Sequence, residues 1–274
     1  MNIDPRTVEG FGQEWSRYPQ DLLAPDEAAE TFNEYFRVFP WDRLSPDAVG
    51  FDAGCGSGRW ARLVAARVGR LHCVDASAEA LGVARRNLAA VPNCEFHLAS
   101  IDDLPLEDGS MDFGYSLGVL HHMPDTAAGL KACTAKLKRG APFLVYLYYD
   151  FENRPWWFRR LWGASELLRR CISTFPFGLK AAFCQGISAI AYWPLARLAW
   201  AAEKAGLDVS HFPLAYYRHR SFYTMRTDTL DRLGTRLEHR FSSDEVRAMM
   251  TAADLERVTF SPAMPHWTAV GYKR

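Results

Sequence analysis

The sequence predicts an α/β fold built on a doubly wound parallel sheet, and three observations carry that prediction. An apolar run, Val49-Gly50-Phe51-Asp52-Ala53, ends in a glycine loop, Gly54-Cys55-Gly56-Ser57-Gly58, that opens a helix. The next apolar run, Leu71-His72-Cys73-Val74-Asp75, ends in a carboxylate. Strand-like and helix-periodic stretches then alternate as far as Asp150, the pattern of βαβ units. Sheets of this kind bind ligands at the carboxyl ends of their strands, where both the glycines and Asp75 fall.

The elements follow in order. Residues 1–46 read as an N-terminal helical cap, because Phe11–Tyr18 and Thr31–Phe36 are amphipathic and aromatic-rich; Trp15 and Phe36 are expected in the core. Residues 47–150 form the ligand-binding core. In its loop, Gly54 and Gly56 allow positive φ and close backbone approach, and the N–H groups of the following helix face any anionic group. Ala78, Leu81, Ala84 and Leu88 mark the next helix, for which Asp75 is either an N-cap or, through two acceptor oxygens, a fork for ribose hydroxyls. Strands are expected at Cys94–Ser100, at the start of Met111–Asp125 and at Pro142–Tyr148, the last after a Leu137–Gly140 turn. Residues 241–274 hold a capping box at Ser242-Ser243-Asp244-Glu245, a helix through Met249 and Met250, and a hairpin of Leu255–Ser261 and His266–Tyr272.

Spacing narrows the ligand. A dinucleotide fingerprint requires a third glycine where Arg59 stands, and a phosphate loop requires a lysine that is absent. The remaining pattern, Asp52-Ala53-Gly54-Cys55-Gly56-Ser57-Gly58, resembles motif I of the class I S-adenosylmethionine-dependent methyltransferases, of the ubiquinone/menaquinone-methyltransferase-like type. The resemblance extends over residues 8–150 and 242–273. It implies a Rossmann-like seven-stranded sheet with an antiparallel terminal strand, and S-adenosyl-L-methionine as cofactor with S-adenosyl-L-homocysteine as product. By the same resemblance Asp52, Gly54, Cys55, Gly56 and Gly58 cradle the methionine end, and Asp75 with Ala76 holds the ribose. Ser100, Ile101 and Asp102 flank the adenine, with Ser100 standing where aspartate is usual. Leu117 and Gly118 then end the fourth strand where the reactive sulfonium faces the acceptor. His121 and His122 follow as candidate base or positioning groups, His122 at the position that is usually histidine.

Residues 151–240 are an insert that the resemblance leaves unexplained. Five of the nine tryptophans lie here, and residues 151–220 hold 10 Lys or Arg against 4 Asp or Glu. Three readings compete: an aromatic, basic lid over the acceptor; a membrane-surface helix pair with Arg159, Arg160, Arg169 and Arg170 at the headgroups; and a subdomain whose tryptophans fill its own core. The lid is preferred, and no binding to lipid vesicles is expected. Tyr217, Arg218 and Arg220 suit a carboxylate or phosphate on the acceptor, and Tyr148 and Tyr149 are expected pocket walls.

Composition excludes several classes. At 49% hydrophobic and 23% charged, the chain buries a full core and is not disordered. Lys plus Arg and Asp plus Glu are equal at 32, so charge gives no reason for a nucleic-acid partner. Six scattered cysteines without a C-x-x-C pair read as reduced thiols of a cytoplasmic protein, and no ligand spacing points to a metal. Met1–Pro5 is polar, unlike a leader, and the most apolar stretch, Ala181–Ala196, is too short to span a bilayer. The expectation is methylation of a small-molecule acceptor, with a hydroxyl first and ring carbon of a lipophilic quinone precursor second. A nicotinamide oxidoreductase, opposed by Arg59, and a non-catalytic cofactor-binding regulator are the alternatives of other classes.

Overall fold

The computed structural model describes residues 2–152, 154–263 and 267–274. The chain divides into two compact units: residues 1–21, 28–150 and 237–274 form the first, and residues 22–27 and 151–236 the second.

The first unit is built on a seven-stranded sheet: β1 (Val49–Ala53), β2 (Arg70–Asp75), β3 (Cys94–Leu98), β4 (Phe113–Leu117), β5 (Pro142–Tyr146), β6 (Leu255–Phe260) and β7 (Thr268–Lys273). Their order is β3-β2-β1-β4-β5-β7-β6. β1 to β5 pair in parallel, and β7 runs antiparallel between β5 and β6. This is the expected Rossmann-like arrangement. The expected strand start at His266 lies outside the described residues, as does Met1.

Central strands covered on both faces need no polar alternation, which is why β1 and β4 read as apolar runs. Their register pairs Gly50 with Phe113 and Phe51 with Gly114. Each ring lies over the opposite glycine, where an added Cβ would come within 2.2 Å of Phe113 and 2.4 Å of Phe51. Around the sheet run α1 (Pro5–Arg17), α2 (Pro25–Tyr35, whose first residues belong to the second unit), α3 (Ala61–Ala65), α4 (Ala78–Asn87) and α5 (Thr126–Ala135). Asp4, Ser77 and Asp125 cap α1, α4 and α5, each accepting a backbone N–H in its first turn.

The second unit is helical: α6 (Trp156–Ile172), α7 (Phe177–Ile187), a π turn at Ser188–Tyr192, α8 (Trp193–Lys204), a 3₁₀ turn at Ala215–His219 and α9 (Phe222–Gly234). The last helix of the chain, α10 (Ser243–Ala252), returns to the first unit with the expected capping box. Within the second unit buried Arg169 grips Glu166 and donates to the carbonyls of Thr235 and Arg236. The tryptophans do not fill this unit's core. Trp156 is 68% exposed, and Trp157, Trp193 and Trp200 are 40–41% exposed, leaving Trp162 packed against Phe151.

Candidate cofactor and acceptor site

The glycine loop folds over the end of β2 because the N–H groups of Gly54 and Cys55 both donate to the Val74 carbonyl. Gly56, at φ +54°, donates its N–H to Asp75 Oδ2 over 2.8 Å, and Ser77 donates to Oδ1 over the same distance. Ser77, not Asp75, is therefore the N-cap of α4, its hydroxyl accepting from Ala80. Asp75 instead braces the loop, and its carboxylate, an acceptor at both oxygens, is the kind of group that takes the hydroxyls of a ribose. Burial raises its carboxyl above the usual range, against the pull of the Ser77, Gly56 and Ala76 amides.

Asp52 is buried at the end of β1, and among the described residues its Oδ2 has no hydrogen-bond partner. Burial pushes this carboxyl up to about 8; the nearby Tyr115 hydroxyl opposes the shift and Asp75 adds to it. A buried carboxylate oxygen left in this condition is costly until a cation or donor meets it. The amino acid end of S-adenosylmethionine carries such a cation, so the residues fit the cofactor. Helix α1 crosses the same loop. Gly12 allows it onto the start of α4, where an added Cβ would lie 2.5 Å from Ser77 Oγ, and a Cβ on Gly56 would lie 2.8 Å from Trp15 Nε1. Arg59 sits between the faces of Trp15 and Trp60.

Beyond β3, Ser100 donates to Asp102 Oδ1 over 2.5 Å, and Asp102 Oδ2 accepts from the Asn2 amide over 2.9 Å. These bonds, the serine's first, hold the Asp102 carboxyl below its usual range. Ser100 and Asp102 thus form one polar pair, beside buried Ile101. At the end of β4, Leu117 is buried and Gly118 takes φ +77° while donating to the Tyr146 carbonyl.

Both histidines are buried in the 3₁₀ turn Leu120–His122. His122 Nδ1 lies 2.7 Å from the Leu237 carbonyl, which only accepts, so Nδ1 carries a proton and, in the neutral ring, Nε2 holds the lone pair. The His121 ring stacks on Tyr148 at 3.8 Å between centroids, and neither of its nitrogens has a hydrogen-bond partner among the described residues. Burial holds it well below the ordinary imidazole range, with His122, Arg240 and His239 acting in the same direction. Arg240 lies over Tyr148, pairs with Glu238 at 2.7 Å and donates to the Tyr149 carbonyl. Tyr149 packs against Trp267. Phe11 against His122, together with Glu238, His239 and Arg240, are members of this cluster that the sequence reading missed. The visible signal was the charged run Glu238-His239-Arg240 just before the capping box of α10.

Tyr217, Arg218 and Arg220 lie in the second unit and are committed to it. The Tyr217 hydroxyl donates to Asp228 over 3.1 Å, Arg218 binds Glu203 and the Ala215 carbonyl, and buried Arg220 lies over Tyr216. Cysteines scattered in sequence converge in space: the thiol of Cys73 meets those of Cys55 and Cys94, and Cys55 is pushed up to about 11. Strand pairing also joins His72, Glu95 and His97, with His72 Nδ1 3.0 Å from His97 Nε2 and 3.3 Å from Glu95. Arg70 pairs with the other Glu95 oxygen.

Residues 51–145 match a family model described as a methyltransferase domain. An uncharacterized 37.1 kDa protein in transposon TN4556 of Streptomyces fradiae is 34% identical over 130 residues, covering 46% of this chain and 36% of that protein. A ubiquinone biosynthesis O-methyltransferase of Xanthomonas axonopodis pv. citri is 33% identical over 128 residues, 46% of this chain and 54% of the relative. The chain thus spans about half the length, or less, of these curated relatives. A solved chain from the complex between the Haloferax volcanii Trm112 methyltransferase activator and a protein described as a methyltransferase is similar in fold, with a TM-score of 0.52, 16% identity and 96% of each chain covered.

Proposed function

We propose that this chain, which carries the core of a class I S-adenosylmethionine-dependent methyltransferase, transfers a methyl group to a small-molecule acceptor, with a hydroxyl as the favoured site. The observation that carries the reading is the pairing of an unpartnered buried Asp52 oxygen with the Asp75 fork on either side of the Gly54–Gly58 loop. Asp52 would hold the ammonium of the cofactor, Asp75 the ribose hydroxyls, and the Ser100–Asp102 pair the adenine amino group. Bound S-adenosylmethionine supplies a methyl carbon already activated by positive sulfur. Alignment and exclusion of water are then the main tasks left to the protein.

A hydroxyl acceptor also has to lose a proton. In the buried cluster at the end of β4, His122 Nε2 presents a lone pair oriented by the Leu237 carbonyl, and the His121 ring lies tilted beside it, 4.1 Å between centroids. Both groups are suited to accept that proton or to hold the hydroxyl in line. The name of the Xanthomonas relative supports O-methylation; methylation at a ring carbon of a lipophilic acceptor is the second reading, favoured by the exposed apolar surface of the second unit. Among the described residues no helix is long and apolar enough to cross a membrane, and the free cysteines support a reducing, cytoplasmic setting. Transfer of labelled methyl from S-adenosylmethionine to a panel of phenols, catechols and quinols tests the reading. O-methyl products are expected. Cofactor binding without turnover of any acceptor would favour a regulatory protein instead.

A further inference from the structure

The two units differ in where their apolar side chains lie. Of the 14 large hydrophobic residues that are strongly exposed among the described residues, 13 belong to the second unit and one, Leu98, to the first. They are not scattered singly. On α6, Trp157, Leu161 and Leu168 recur at helical spacing along one outward face, and on α7 Leu179 and Phe183 do the same. From Ala181 to Ala202 the chain holds a single charged residue, Arg197. Apolar side chains exposed in such number along helix faces mark an interaction surface.

Charge identifies the partner. The second unit holds 13 Lys or Arg against 8 Asp or Glu, and the first 19 against 24, so the balanced total conceals a basic unit and an acidic one. The basic groups accompany the exposed aromatics. Arg159 and Arg160 are exposed in the turn that follows Trp156 and Trp157, with Arg160 over the Trp156 ring at 5.9 Å, and Lys204 lies over Trp200 at 6.0 Å. Indole rings beside guanidinium and ammonium groups suit the level of lipid headgroups, where the ring meets acyl chains and the cation meets phosphate. A second copy of this chain fits less well, because a two-fold contact would bring the same arginines against each other.

We propose that the exposed apolar and basic residues of α6, α7 and α8 dock the second unit on an anionic lipid bilayer surface without crossing it. This reverses the expectation from sequence, which preferred an aromatic, basic lid over the acceptor and no binding to lipid vesicles. The proposal stands apart from the methyl-transfer reading, since it uses no residue of the cofactor site.

The test is co-sedimentation of the full chain with vesicles of phosphatidylcholine alone and of equal parts phosphatidylcholine and phosphatidylglycerol. Several-fold more protein is expected to sediment with the anionic vesicles, with a blue shift of tryptophan emission. Binding should fall several-fold between about 0.05 and about 0.5 M salt, as exposed charges are screened. Trp156→Ser/Trp157→Ser and Arg159→Glu/Arg160→Glu should each lower binding at least about threefold, with unchanged melting temperature and cofactor affinity confirming the fold. Sedimentation no greater than without vesicles would overturn the proposal. So would a stable dimer in solution that Trp156→Ser/Trp157→Ser converts to monomer.

Discussion

The first unit keeps its apolar side chains inside and leaves polar groups stranded among them; the second keeps many apolar side chains outside. Asp52 and His121 are buried with nitrogen or oxygen atoms that meet no hydrogen-bonding group among the described residues, while Trp156 and Ile190 stand in water, the latter 79% exposed. Hydrophobic residues inside and polar ones outside is the ordinary arrangement, so each departure is informative. A stranded buried polar group points to a polar ligand. An apolar, basic outer face points to a surface that is itself apolar beneath and anionic above. The same chain thus carries two kinds of unmet demand, one in each unit, and they can be broken separately.

The largest expected effect is in the first unit. Gly56→Val puts a branched side chain at φ +54°, against Trp15, and should weaken cofactor binding by more than about 100-fold while circular dichroism shows the fold retained. Removing the second unit's Trp156 and Trp157 should leave that affinity unchanged, and an equal loss would abolish the distinction drawn between the units.

Next in size is the histidine cluster. His121→Ala and His122→Ala should each lower kcat by about 100-fold, the low end of what a positioned acid or base contributes, with calorimetric cofactor affinity preserved. A change confined to acceptor KM would reassign them to binding.

A smaller effect concerns pH. Asp52 is raised to about 8, so below that value the unliganded protein holds a proton there, and the ionised form that attracts an ammonium prevails above it. Cofactor affinity should therefore rise by about tenfold from pH 6 to pH 7, a range in which the cofactor's ammonium keeps its proton, with proton release from Asp52 on binding. Calorimetry in buffers of different ionisation enthalpy measures both. Asp52→Asn should bind weakly at every pH, and a flat profile in the unaltered protein would remove Asp52 from the ammonium site.

The smallest effect expected is at Arg218, partly buried and already paired with Glu203. Arg218→Ala should raise acceptor KM only about two- to fivefold with cofactor affinity unchanged, because a partner-committed, solvent-screened guanidinium has little left to give. An unchanged KM would separate the second unit from acceptor binding.

Legibility in the sequence follows the same division. The strand-loop-helix at Val49–Arg59, the carboxylate ending β2 and the α10 capping box were readable because each is local: a run, a spacing, a capping pattern. The role of Ser77 as the cap in place of Asp75 was not, since residues two apart compete for the same helix start and only geometry decides. The Cys55, Cys73 and Cys94 thiols meet through strand order and register, which spacing along the chain does not reveal. His121 joins His239 and Arg240 for a similar reason: Phe241 bridges Tyr149 and the His239 amide donates to the His121 carbonyl, 118 residues apart. For the insert, the count of tryptophans was plain, but a helix with apolar residues on more than one face does not state which face is covered.

Titration of the full chain with S-adenosyl-L-methionine by calorimetry, alongside NADH and the Asp75→Ala variant, tests the central claim most directly. One saturable site for S-adenosylmethionine is expected, with no binding of NADH. Asp75→Ala, which takes a charged acceptor from two hydroxyls, should weaken it by at least about 1.5 kcal/mol, roughly tenfold. Unchanged affinity in a folded Asp75→Ala protein, or binding of NADH in preference to S-adenosylmethionine, would contradict the account.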